Sequence, residues 1–322
     1  MQCHIGPGAP WFVRSKLSGV RQVFAVTFKT YSRPIPSPVH QLRPARETCE
    51  QCHWPQKFTG DKFLVRRKYS EDEKNTLLTT VLVLKIGGHT WQGAVGIHGR
   101  HLETNPGDSS ERISYVSIDG RRQVIPRVTY IDDNGKTVEY ISSEVQTTPE
   151  QLARGEHRKM DCVDCHNRPT HAFQMPARAV DQEMYAGRIS PRLPYIRKKA
   201  VEVLRIEYPD REAARQRILS TLTEFYRTNY AETYREHHAL VETAGQQVAE
   251  IYLRNVFPQM KVTWGTHPNN IGHEDFLGCF RCHDGSHTSA DGRTISNDCS
   301  ACHTILAMED PNPKILEELG MK

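Results

Sequence analysis

The sequence predicts an α+β chain with an antiparallel β-insert, a helical segment, and little regular structure around a series of cysteine–histidine motifs. Three observations carry this. Cysteine recurs in Cys-x-x-Cys-His units from one end of the chain to the other. Residues 60–150 hold short β-branched runs such as TTVLVLKI, RISYVSI and KTVEYIS, broken by Gly87-Gly88, Asp119-Gly120 and the Asp132 to Gly135 turn signal. Residues 176–257 carry apolar residues at three- and four-residue spacing, punctuated by Pro191, Pro194 and Pro209.

The motifs come first because they dictate the chemistry. Two stand close together between Gly278 and His303: Cys279-Cys282-His283 and Cys299-Cys302-His303. Cys49-Cys52-His53 and Cys162-Cys165-His166 are two more. The chain opens Met1-Gln2-Cys3-His4, the same motif without its first cysteine, and with it all nine cysteines are accounted for. We read this opening as a fifth motif, either cut by the start of the sequence or attached through Cys3 alone. Cys-x-x-Cys-His is the attachment signature of c-type haem. Two cysteines three apart lie on one side of a helical turn, where both thiols can add to the vinyl groups of one porphyrin. The histidine that follows can turn its ring under the same iron.

Zinc is the rival. Cys279, Cys282, Cys299 and Cys302 have the spacing of a zinc ribbon. A ribbon does not need a histidine after each second cysteine. Histidine makes up 16 of 322 residues, so its recurrence at that position in every motif decides for haem. The expectation is five haem c groups, or four if the first motif is empty. His4, His53, His166, His283 and His303 are the proximal ligands. Cys3, Cys49, Cys52, Cys162, Cys165, Cys279, Cys282, Cys299 and Cys302 are the attachment points.

Composition agrees. Hydrophobic residues make up 37% of the chain and mean hydropathy is −0.61, lean for a self-sufficient core unless porphyrins fill it. The formal charge of +4 is offset by two propionates per haem, so it does not argue for nucleic acid. Covalent haem attachment takes place outside the cytoplasm, which predicts a periplasmic or extracellular protein. The sequence shows neither a run of 18 apolar residues nor a signal peptide. Any export signal or anchor would lie upstream.

In chain order we expect an N-terminal region 1–59 holding haems 1 and 2, with a helix from Trp11 to Phe28 and an extended path forced by Pro34, Pro36 and Pro38. His40 is a distal-ligand candidate there. The β-rich insert at 60–150 carries His98 and His101 at its rim, one of which should reach a haem, and His89 in a turn. The haem 3 segment at 151–175 offers His171, which would serve a neighbouring haem rather than its own. The helical segment at 176–257 is read as packing, with His237 and His238 as weak candidates. The C-terminal di-haem region at 258–322 offers His273 and His287 as distal ligands, with His267 behind them. Arg43, Arg46, Arg168 and Arg281 flank motifs and could pair with propionates or simply face solvent. Imidazole on both faces lowers the potential relative to His/Met ligation and closes the iron to substrate.

The segments GPGAPWFVRSKLSGVRQV, PVHQLRPARETCEQCHWPQKF, GIHGRH, MDCVDCHNRPTH, and NNIGHEDFLGCFRCHDGSH with DCSACH resemble the NapC/NirT-like multihaem cytochromes, in particular larger relatives with a β-insert after the second motif. GIHGRH departs from the GIHWH form of those relatives, which leaves the choice between His98 and His101 open. The resemblance implies a haem domain anchored to the cytoplasmic membrane by a helix. It would pass electrons from the quinol pool to periplasmic redox proteins. The main expectation is an electron relay rather than a catalyst. The alternatives are a subunit of an extracellular cytochrome filament or larger redox complex, homo-oligomeric or not, and a multihaem reductase with one open haem face.

Overall fold

The computed structural model describes residues 9–38, 45, 49–53, 60–87, 96–102, 112–132, 134–170 and 172–321. In chain order its strands are β1 (Lys62–Tyr69), β2 (Leu77–Leu84), β3 (Ile113–Ser117), β4 (Arg127–Ile131), β5 (Thr137–Ser142), β6 (Glu156–Lys159), β7 (His287–Ser289) and β8 (His303–Asp310). The helices are α1 (Ala9–Thr27), α2 (Ile97–His101), α3 (Pro149–Arg154), α4 (Cys162–Cys165), α5 (Pro176–Tyr185), α6 (Ile196–Leu204), α7 (Arg211–Asn229), α8 (Ala231–Asn255) and α9 (Lys314–Glu318). The fold is α+β, as expected. The chain divides into two compact units, one built from residues 1–62, 84–172 and 268–304, the other from 63–83, 173–267 and 305–322.

The first unit holds every described Cys-x-x-Cys-His motif. Its frame is a five-stranded sheet in the order β6-β3-β4-β5-β7, antiparallel at each pairing. Register runs Tyr115 opposite Val128 and Val128 opposite Tyr140. One face buries Tyr115, Ile125 and Val128, with Ile113, Tyr140, Ile295 and Cys282 packed against them. A cysteine of the fourth motif is thus part of the sheet's small core. The connections close on carboxylates. Asp119 accepts from the backbone N–H of Arg121, Gln123 and Val124 after β3. Asp132 accepts from Asn134 and Lys136 before β5, the Asx-turn chemistry that favours Asp at such corners. α3 opens with a capping box between Thr148 and Gln151.

α1 matches the expected helix closely and exposes Phe12, Leu17, Val20, Val23 and Phe24. Among the described residues no helix is long and apolar enough to cross a membrane.

The second unit is mainly helical. α7 buries Ala214, Ile218, Leu222 and Tyr226, one residue per turn, and packs along α8. The two approach closely at Gly245, where a Cβ would stand 2.9 Å from Leu219. α5 and α6 complete the core with Val180, Met184, Ile196 and Leu204. Asp210 caps α7 by accepting from the N–H of Ala213. The three-stranded sheet β1-β2-β8 belongs here, apart from a few terminal residues.

The strands expected over 60–150 form and fall into two sheets. β1 and β2 join β8 and the helical unit, whereas β3, β4 and β5 join β6 and β7 from outside the insert. Period-two alternation marks a strand and its buried face, but a strand's partner is a long-range choice that alternation does not encode.

Candidate haem-binding sites

Each described motif folds as a tight turn. The Cys49 carbonyl accepts from the N–H of Cys52 and His53, and the Cys279 carbonyl from Cys282 and His283. In the third motif Asp161 caps α4, and the Cys162 carbonyl accepts from His166. The last motif is a 3-10 turn over Cys299–Ala301 with Asp298 capping Ser300. In every case the turn gathers both thiols and the histidine on one local scaffold.

The cysteines of these four motifs form no disulfide with one another. Burial pushes Cys162 up to about 12, Cys165 to about 11 and Cys282 to about 12. Among the described residues no group of three or more His, Cys, Asp or Glu side chains gathers to hold a metal ion. Cys279, Cys282, Cys299 and Cys302 thus do not form the tetrahedral centre that their spacing alone permits.

The histidines pair instead. The rings of His98 and His166 stand 6.2 Å apart between centroids, inclined by 20°. Those of His273 and His303 stand 6.2 Å apart at 29°, and those of His101 and His283 stand 5.7 Å apart at 58°. Each pair joins the histidine of one motif to a histidine from another segment. An imidazole nitrogen lies about 2 Å from a first-row metal, so two imidazoles gripping one metal from opposite sides set their ring centres roughly 6 Å apart. The observed separations fit a metal held between the rings.

The free nitrogens agree. His283 Nδ1 hydrogen-bonds the Ser296 carbonyl at 2.6 Å and His101 Nδ1 the Ile97 carbonyl at 2.7 Å, an arrangement that would turn Nε2 of each toward a metal. His303 Nδ1 is buried with no hydrogen-bond partner among the described residues, the signature of a site that expects a further group. Burial holds His98, His101 and His166 below the usual imidazole range, so they are neutral, the form that binds metal. A cavity of 450 Å³ opens beside His283, walled on one part by Val124, Ile125, Val145, Leu277 and Phe280 and on the other by polar and charged side chains that include Glu144, Arg281 and Asp284. These residues fit haem.

α2 supplies two of the paired rings. In the sequence His98 and His101 stand as alternatives. The structure places both, three apart on one short helix, with His98 facing the third motif and His101 the fourth. The helix is seated by Ile97 N–H donating to the Lys85 carbonyl at 2.7 Å, and Lys85 N–H in turn donates to the Cys302 carbonyl at 2.9 Å.

His287 departs from expectation. It is 1% exposed, with Nδ1 bonded to Asp284 at 3.0 Å and Nε2 to the Ile125 carbonyl at 2.8 Å. Both nitrogens are committed, so it secures β7 to the sheet rather than offering a lone pair to iron. His267 lies in the helical unit, 5.5 Å from the ring of Phe173. His237 and His238 lie on α8, where His237 interrupts the helical backbone; the helical unit contains none of the described motifs. Cys3, His4, His40, His89, His171, Arg43 and Arg46 lie outside the described residues. Arg168 donates to Ser37 at 2.7 Å, and Arg281 is buried against three carbonyls; neither waits in solvent for a propionate.

Sequence reasoning missed what ties the motifs together. The Ala45 carbonyl accepts from Cys49 N–H, and its own N–H donates to Asp161 at 2.8 Å, which docks the second motif on the cap of the third. Asp164, between the cysteines of the third motif, is 3% exposed. Its carboxylate accepts from the Tyr115 hydroxyl at 2.7 Å and from Arg158 at 3.1 Å. Its carbonyl accepts from Asn270 at 3.0 Å and Arg281 at 2.7 Å. The only sequence signal was a charged residue inside a motif expected to be buried.

A cytochrome c-type protein, ImcH of Geobacter sulfurreducens, is 44% identical to this chain over 322 residues, 99% of the chain. The chain is similar to a c-type cytochrome. It spans 62% of the length of that relative. No protein-family model matches the chain, and no solved structure matches it. The cytochrome likeness reaches across all the described motifs and their partner histidines, since the alignment covers nearly the whole chain.

Proposed function

We propose that this chain is a multihaem c-type electron relay whose haems are ligated by imidazole on both faces. The observation that carries the reading is the set of three histidine pairs at about 6 Å, each uniting a motif with a remote ring. His98 would complete the third haem, His101 the fourth and His273 the fifth. Haem c supplies a one-electron Fe(III)/Fe(II) couple. The protein's own residues hold the irons, exclude water and set potentials. Rings on both faces of the third, fourth and fifth haems would leave no position for a substrate there, which favours a carrier over a reductase.

The motifs follow one another in space. Ala45 joins the second to the third, Arg281 joins the third to the fourth, and α2 brackets the third and fourth together. That succession suits a relay. The first motif, with Cys3 and His4, would bring the number of haems to five, and His40 or His171 would serve the haems whose distal ligand is not among the described residues.

The finer context is part of the same proposal. We place the protein on the periplasmic or extracellular side, among NapC/NirT-like cytochromes, accepting electrons from the quinol pool or a membrane redox complex and passing them to other cytochromes. Support comes from the motif segments and from the chemistry of covalent haem attachment. Intact-mass spectrometry with electron paramagnetic resonance tests the core of the reading. We expect four or five covalently added haem masses and a wholly low-spin ferric spectrum. A colourless polypeptide, or a chromophore lost to acidified acetone, would refute it.

A further inference from the structure

We propose that Arg281 is a potential-setting residue, its buried cation raising the reduction potentials of the third and fourth haems. The inference rests on the haem reading above.

Arg281 occupies the second position between Cys279 and Cys282, and it is 9% exposed. Its three nitrogens donate to carbonyls: Nε to Gly278 at 2.8 Å, Nη1 to Arg122 at 2.8 Å and Nη2 to Asp164 at 2.7 Å. Asp164 lies between Cys162 and Cys165, so the guanidinium spans the third and fourth motifs directly.

The neighbouring carboxylates are spoken for. Arg122 pairs with Glu156 at 2.7 Å, and Arg158 lies 3.1 Å from Asp164. Asp161 accepts from the N–H groups of Cys162 and Ala45. The hydrogen bonds of Arg281 all go to carbonyl dipoles, while Glu144 and Asp284 line the same cavity without an ion pair to it. A guanidinium stays charged at any accessible pH, and burying it costs energy that packing alone does not require.

A ferric haem carries one more positive charge than a ferrous one. A fixed cation nearby disfavours the ferric state, and the low dielectric of the interior keeps the effect strong. Both motifs that touch Arg281 should therefore hold haems that are reduced more readily than their ligands alone dictate.

The test is a spectroelectrochemical titration of the haem-loaded protein. Arg281→Gln should raise the ferric-to-ferrous ratio of two haems about tenfold at a fixed ambient potential, a downward shift of about 59 mV for a one-electron couple. Arg281→Lys, which keeps the charge but not the three-way clamp, should leave most of the potential in place. Asp164→Asn, which keeps the carbonyl but removes a negative charge, should shift the same haems upward. Equal shifts for Gln and Lys, no shift, or a downward shift for Asp164→Asn would overturn the proposal. If Arg281→Gln fails to mature, the Lys and Asn variants decide by the same signs. A protein without covalent haem would fail the relay reading itself, whereas a loaded protein with unmoved potentials would fail only this inference.

Discussion

Gly278→Ala isolates how the backbone positions the fourth motif. Gly278 sits at φ +51°, immediately before Cys279, and it is buried. A left-handed backbone costs a residue with a Cβ about 1–2 kcal/mol. The added methyl would also collide with the Gly272 carbonyl oxygen and stand 2.8 Å from its carbon. That carbonyl accepts the N–H of Cys279 at 3.0 Å, so it cannot retreat without breaking that hydrogen bond, at about 1 kcal/mol. Together these give about 2–3 kcal/mol. Gly292 is the matched control: its φ is +81° and nothing lies within 4 Å of where an alanine methyl would stand, so Gly292→Ala should lose only about 1–2 kcal/mol. Denaturant unfolding of the haem-loaded protein, followed by the Soret band, measures both. If Gly278→Ala were no more costly than Gly292→Ala, the contact between the 272 carbonyl and the fourth motif would not be what seats Cys279.

His101→Ala should convert one haem to a high-spin ferric form and leave the others low-spin, read by electron paramagnetic resonance; His101→Met should raise one potential instead, because thioether ligation favours the ferrous state. Tyr115→Phe removes the hydroxyl that donates to buried Asp164 and should cost about 1–3 kcal/mol in chemical unfolding. Ile218→Ala empties a fully buried position on α7. It should cost about 2–5 kcal/mol in thermal unfolding while the visible spectrum of the folded protein stays unchanged, since the helical unit contains none of the described motifs.

Much of this protein is legible in the order of its residues. The tight turns of the Cys-x-x-Cys-His motifs, the α7 and α8 stripes and α1 all follow from local spacing, because a turn or a helix is decided by residues a few positions apart. The α+β class follows from the same short-range patterns. His98, His101 and His273 can be named as candidates, but not assigned, since the ring each one faces comes from a different part of the chain.

His287 shows where that reasoning stops. Four residues after a proximal histidine it has every local mark of a ligand, yet the Ile125 carbonyl, 162 positions away, takes one of its nitrogens. Arg281 shows the same from the other side: its partners are backbone carbonyls of Arg122 and Asp164, which carry no signal in sequence. Covalent chemistry is written into the spacing of cysteine and histidine. Which imidazole faces which, which strands share a sheet, and where a charge is left buried were settled only by folding, because those depend on contacts between residues far apart along the chain.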